Sequence, residues 1–122
     1  SWVVEKDLRV KKWIEKNSPA GQRCGYIPLS VEEWIKTSPD LRNSLVLLDP
    51  PRRGLSKSVR EYLFSGVLDD FVYLSCNPAT FARDLGEAVR AGFVLSWINL
   101  YDFFPQTPHF EIAAILRRNS SV

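Results

Sequence analysis

The sequence predicts an α/β fold, a doubly wound and mostly parallel sheet that finishes in an antiparallel strand pair. "SLVLLD" is a nearly continuous apolar run, the pattern of a strand covered on both faces of a parallel sheet. Short β-branched runs alternate with helical stretches along most of the chain. At the end, "FVLSWINLYDFF" and "FEIAAILRR" follow each other with no helix between them, joined by the proline-rich "PQTP".

"WVVE" reads as a short strand. Asp7 is then a candidate N-cap for a helix from Leu8 to Lys16, ended by "NSPAG". "CGYIPL" is the next strand candidate, with a short helix from Val31 to Lys36. After "SLVLLD" comes "PPRRGLSKSVREYLFSGVL", where Ser56 can cap a helix to about Ser65. "DFVYLSC" is another buried strand, and "PATFARDLGEAVRAG" a helix closed by Gly92. In sheets of this kind ligands bind beyond the carboxyl ends of the strands, where Glu5, Asp49 and Cys76 fall.

Composition bounds the rest. With 122 residues the chain is one domain in size. Sixteen basic against 14 acidic residues leave a net charge of +2, which neither requires nor excludes nucleic acid. No apolar run reaches the roughly 18 residues of a membrane span, and "SWVVEKDLRVKKW" lacks the layout of a signal peptide. Cys24 and Cys76 show neither a disulfide framework nor metal spacing, which favours a reducing cytoplasm, with a Cys24–Cys76 disulfide as the alternative. A single histidine disfavours a zinc site.

Three stretches concentrate the chemistry. In "LLDPPRRGL", Asp49 ends a buried strand, and Pro50 and Pro51 hold the backbone extended after it. That carboxylate serves either a ligand's donors or the local turn. In "SCNPATFARDL", Asn77 is a strong N-cap type and Pro78 fits the first helical position. Cys76 therefore precedes a helix N-terminus, a place that favours the thiolate. The alternative is a thiol that only packs. In "YDFFPQTPHFEIAAIL", His109 and Glu111 are two apart on a predicted strand and share a face. A glutamate entering an apolar strand needs a partner or solvent, so Glu111 is either a general base at a cleft or a rim residue, with His109 in support.

Together, "LLDPPRRGL", "YLSCNPATFARDL" and "DFFPQTPHFEIAAIL" resemble the signature blocks of the RNA uracil-C5-methyltransferases of 23S rRNA and tRNA, which use S-adenosylmethionine. The resemblance implies a Rossmann-like class I methyltransferase sheet. It implies Cys76 as the nucleophile that adds to carbon 6 of uracil and Glu111 as the base that removes the carbon-5 proton. Asp49 matches the cofactor-contacting aspartate, and Glu5 the acid that holds the ribose hydroxyls. Ser30 stands roughly where a further cofactor-side acid is expected. Arg52, Asn77 and His109 fall to the substrate side, with Arg53 and Arg83 as further contacts. The implied partner is an rRNA or tRNA uridine unstacked into the pocket, with no DNA.

The chain departs from that family in one respect. Its six glycines never form a G-x-G after a strand, so the glycine-rich turn and the first strand are expected to be missing. Residues 1–122 are then the C-terminal portion of a catalytic domain that needs an N-terminal part. The runner-up reading is a non-catalytic RNA- or protein-binding module that keeps the fold. A thiol hydrolase is a distant third, since Cys76 has no partner in sequence except His109. On the leading reading, these residues alone bind S-adenosylmethionine poorly, so calorimetry should register little heat; tight binding would contradict the expectation.

Overall fold

A computed structural model describes residues 1–19, 24–103, 105–107 and 109–119. The elements run β1 (Trp2–Val4), α1 (Leu8–Asn17), β2 (Gly25–Ile27), α2 (Val31–Ile35), β3 (Leu41–Leu48), α3 (Lys57–Leu63), β4 (Leu68–Ser75), α4 (Pro78–Arg90), β5 (Phe93–Tyr101) and β6 (Glu111–Arg118). They fall into two compact units, residues 1–39 and 40–122. Among the described residues no helix is long and apolar enough to cross a membrane.

In the first unit β1 and β2 pair in parallel, with Trp2 opposite Gly25. A Cβ at Gly25 would lie 2.2 Å from the Trp2 indole, so a larger residue there would have to displace that ring. Asp7 caps α1 as the sequence predicts, accepting from the Arg9 N–H at 2.9 Å. The Arg9 guanidinium, hydrogen-bonded to the same carboxylate, holds Asp7 at a pKa of about 2. Of the predicted terminator "NSPAG", Ala20 and Gly21 lie outside the described residues, and the helix closes with the Ser18 N–H on the Ile14 carbonyl.

The second unit holds a four-stranded sheet in the order β3-β4-β6-β5. β3 and β4 are parallel, and β6 runs antiparallel to both β4 and β5. The predicted antiparallel finish is therefore present. One face lies under α3 and α4: Val59 and Leu63 from α3 and Phe81, Leu85 and Ala88 from α4 are buried, as are Phe71, Tyr73, Ala114 and Leu116 beneath them. Phe71 and Phe93 meet edge to face at 5.1 Å between centroids, and Tyr73 meets Phe81 at 5.7 Å.

The opposite face differs from the sequence expectation. Leu45 and Leu47 of the "SLVLLD" run are 82% and 62% exposed, so β3 is not covered on both sides within its unit. β3 is an edge strand bonded to β4, and its alternate residues Val46 and Leu48 are only half-buried. β3 also begins earlier than expected, at Leu41. Its ladder is irregular between Leu41 and Leu45, where Asn43 adopts φ 63°.

The segment after β3 is fixed by α4. Asn77 caps this helix, accepting from the Ala79 N–H at 3.0 Å, with Pro78 in its first turn as predicted. The Asn77 Nδ2 and the Thr80 Oγ1 both donate to the Arg52 carbonyl at 3.0 Å. Arg83 Nη2 donates to the carbonyls of Arg53 and Leu55, each at 3.0 Å. The Leu55 N–H donates to Asp84 Oδ2 at 2.9 Å, and the Tyr73 hydroxyl donates to the same oxygen. Asp84 is fully buried.

Two substitutions test this core. Gly54 has φ +77°, and a Cβ there would sit 2.7 Å from Asp84 Oδ2, which cannot yield. Gly54→Ala should therefore lose about 2 kcal/mol or more in urea unfolding. Burial, then the bond to Asp84, pushes the Tyr73 phenol well above its ordinary value. A raised phenol keeps its full stabilising effect below pH ~10 and loses it as pH climbs past the value of the unfolded chain. Tyr73→Phe should cost about 1–3 kcal/mol at neutral pH and flatten the fall in stability above pH ~10.

Candidate active site

The carboxyl ends of β3 and β4 and the start of β6 meet at one edge of the sheet in the second unit. Ser75 and Ile112 are the last partners of the β4–β6 ladder. Cys76 follows Ser75 and Glu111 precedes Ile112, so the thiol and carboxylate residues fall at adjoining strand ends. Glu111 also pairs with Tyr101 of β5.

Strand alternation assigns the face. Tyr73 and Ser75 turn under α4, whereas Leu74 and its partner Ala113 take the face away from it. A pocket of about 300 Å³ opens on that second face, lined by Asp49, Leu74, Tyr101, Phe103, Glu111 and Ala113. Tyr101 and Phe103 stack at 5.8 Å with 5° between their planes and form its aromatic wall. Asp49 is exposed and Glu111 half-buried. Neither carboxylate has a hydrogen-bond or ion-pair partner among the described residues, so Asp49 does not serve the local turn.

The turn that carries Cys76 is pinned on both sides. The buried Ser75 hydroxyl donates to the Asn77 carbonyl at 3.0 Å, and the Asn77 N–H donates back to Ser75 Oγ at 3.1 Å. Between these bonds Cys76 is exposed as a free thiol, and Cys24 is free as well. A thiol at this place is not packed away, which removes the packing reading of Cys76.

The remaining predicted residues divide by environment. Arg52 and Arg53 are exposed, and their guanidinium groups make no hydrogen bond or ion pair among the described residues. Asn77 uses Oδ1 for the α4 cap and Nδ2 for the Arg52 carbonyl, so it holds the backbone. His109 does not lie on a strand with Glu111. β6 starts at Glu111, where β5 runs out at Tyr101, and His109 sits exposed in the preceding coil with its N–H on Thr107 Oγ1 at 3.3 Å.

Glu5 and Ser30 belong to the first unit, each just past the carboxyl end of a strand. The exposed Glu5 accepts from the Asp7 N–H at 3.0 Å. The Ser30 oxygen caps α2, accepting from the Glu33 N–H at 3.1 Å. Sequence reasoning missed Asp84, Tyr73 and the aromatic wall. The signal for Asp84 was present: Phe81, Asp84, Leu85 and Ala88 trace one helical stripe, with a carboxylate among apolar residues.

The chain is similar to known proteins. The profile of the tRNA (uracil-5-)-methyltransferase family matches residues 37–119. An uncharacterized RNA methyltransferase of Gloeobacter violaceus is 41% identical over 118 residues, covering 95% of this chain and 25% of that protein. The 23S rRNA (uracil(1939)-C(5))-methyltransferase RlmD of Pseudomonas fluorescens is 46% identical over 88 residues, covering 72% of this chain and 18% of that protein. Among solved structures, the Pyrococcus abyssi tRNA (uracil-54, C5)-methyltransferase in complex with S-adenosyl-L-homocysteine superposes with a TM-score of 0.74 at 28% identity. That match covers 94% of this chain and 28% of that one. M. capricolum TrmK shares the fold at a TM-score of 0.60 and 15% identity. The chain thus spans about a quarter of the length of the relatives it matches. Its mixed, mostly parallel architecture is that of the class I methyltransferases, and the chain belongs to the tRNA (uracil-5-)-methyltransferase family.

Proposed function

We propose that the protein carrying this chain methylates carbon 5 of a uridine in RNA, with S-adenosylmethionine as methyl donor. These residues form the C-terminal portion of its catalytic domain. One observation carries the reading: an exposed thiol, Cys76, and a carboxylate with no partner among the described residues, Glu111, fall at adjoining strand ends beside a pocket that also holds Asp49.

The chemistry needs that pair. Carbon 5 of uracil is a poor nucleophile until the ring is activated. The Cys76 Sγ, as thiolate, adds to carbon 6, and the resulting enolate puts electron density on carbon 5. When bound, S-adenosylmethionine supplies the electrophilic methyl group that carbon 5 takes up. Glu111 then accepts the carbon-5 proton. The electron pair of that C–H bond restores the ring double bond and expels the Cys76 thiolate, so the uridine gains a methyl group and loses a proton. Leu74, Ala113, Tyr101 and Phe103 give the base an apolar and aromatic surround once it is unstacked.

Asp49 is an exposed carboxylate, an acceptor suited to the hydroxyl and amino groups of the cofactor. In the first unit, taken by itself, Glu5 is an exposed carboxylate and Ser30 keeps a hydroxyl proton to donate, and the family resemblance gives both to the cofactor side. Arg52 and Arg53 present guanidinium groups without partners among the described residues, suited to RNA phosphates, and the exposed His109 lies two residues before Glu111 on the substrate side that the family resemblance gives it. Among the described residues β3 bonds only β4 and turns Leu45 and Leu47 to solvent, which suits a strand and a covering layer supplied by the rest of the protein. Free thiols at both cysteines suit a reducing cytoplasm.

The test uses the whole protein, RNA containing 5-fluorouridine and S-adenosylmethionine. Fluorine at carbon 5 cannot leave as a proton, so denaturing mass spectrometry should find a protein–RNA adduct on Cys76 that Cys76→Ala abolishes. A folded, RNA-binding protein that forms no adduct contradicts the reading. Glu111→Gln should accumulate the adduct with ordinary uridine as well.

A further inference from the structure

The chain buries one carboxylate that takes no part in the proposed chemistry. Asp84 is fully inaccessible, yet it collects donors from three parts of the second unit. The Leu55 N–H comes from the segment after β3, and the Tyr73 hydroxyl from β4. Arg83 of α4 adds Nε and Nη2 at 3.0 and 2.9 Å to Oδ1. Arg60 of α3 lies 3.9 Å away and is itself paired with Glu87 at 2.8 Å. An uncompensated charge at such a depth is strongly unfavourable, and this one is compensated only while Leu55, Tyr73 and Arg83 stay in place.

What the cluster holds is the segment 51–55. The Pro51 carbonyl accepts from the Gly54 N–H at 2.8 Å and closes a tight turn. The Arg52 carbonyl is taken by Asn77 and Thr80, the Arg53 carbonyl by Arg83, and the Leu55 carbonyl by Arg83 together with Arg60 Nη1. Asn77 is the residue after Cys76. The free guanidinium groups of Arg52 and Arg53 and the turn bearing the thiol are therefore two faces of one clamped unit. Asp49, by contrast, follows the Leu48–Tyr73 pair and is placed by the β3–β4 ladder.

We propose that Asp84 is a positioning residue: its carboxylate clamps residues 52–55 against the first turn of α4, and so fixes the Cys76–Asn77 turn relative to the arginines that receive the RNA. The role in turnover rests on the uridine methyltransferase reading; the clamp itself does not. Asp84→Asn is the informative variant, because an amide brings two N–H donors to a place lined with donors. It should release the segment and leave the β3–β4 ladder, and with it Asp49, in place.

Two measurements on the whole protein test this. Trypsin should cut the Arg52–Arg53 and Arg53–Gly54 bonds about tenfold faster in Asp84→Asn, with cleavage outside residues 51–55 unchanged. The kcat for RNA methylation should fall about 30-fold, as expected of a misplaced reacting group, while KM for S-adenosylmethionine changes less than about threefold. Unchanged cleavage at Arg53 overturns the inference. So does a released segment with full kcat, or a loss of kcat matched by an equal loss of cofactor affinity. If Asp84→Asn fails to fold, Arg83→Gln removes the bonds to the Arg53 and Leu55 carbonyls from a partly exposed position, and should show both changes at about fivefold. An Arg83→Gln protein with wild-type cleavage and kcat overturns the inference too. A wild-type protein that methylates no uridine removes the functional reading, and the cleavage result then decides the clamp by itself.

Discussion

The buried carboxylate of Asp84 is the constraint on which the second unit depends. Its position in the apolar stripe of α4 forces donors to come to it, and those donors are spread along the chain at Leu55, Tyr73 and Arg83. Satisfying one charge thus orders the connection after β3, the middle of β4 and the first turns of α4 together. The catalytic candidates sit on the outside of that arrangement. Cys76 is held from below by the two Ser75–Asn77 bonds, and Asn77 in turn is tied to the clamped segment.

The sheet separates structure from chemistry by face. One face is a packed layer of Phe71, Tyr73, Ala114 and Leu116 under α3 and α4. The other is apolar but open, and at the strand ends it gathers Asp49, Glu111, Tyr101 and Phe103 around a pocket. Asp49 is exposed and Glu111 partly so, which leaves them open to solvent, whereas a carboxylate under α4 needs the donor set that Asp84 has.

Much of this was legible in the sequence. The caps predicted at Asp7 and Asn77 mark helix starts within a residue, because side-chain oxygens that accept backbone N–H groups are a local signal; Ser56 also stands at the N-cap of α3, without a side-chain bond to the helix. The antiparallel finish was readable from two apolar runs without a helix between them. What escaped was non-local. Leu45 and Leu47 look buried in a string of apolar letters, but their exposure depends on which strands lie beside β3. His109 looked like a strand residue because pairing was extended past Tyr101, where β5 ends. Asp84 was read as an ordinary helix residue, although its spacing from Phe81, Leu85 and Ala88 placed it inward. Among the site residues, Asp49 and Glu111 do share a pocket, and Asn77 turned out to hold backbone.

The central claim is that a thiol and a carboxylate at adjoining strand ends divide one reaction between them, addition at carbon 6 and proton removal at carbon 5. Release of tritium from RNA labelled at carbon 5 of uridine tests it most directly, measured with methyl incorporation in the whole protein. The account predicts one tritium released per methyl group gained in the wild type, neither event in Cys76→Ala, and methyl incorporation without tritium release in Glu111→Gln. Methylation with tritium release in Cys76→Ala would contradict it.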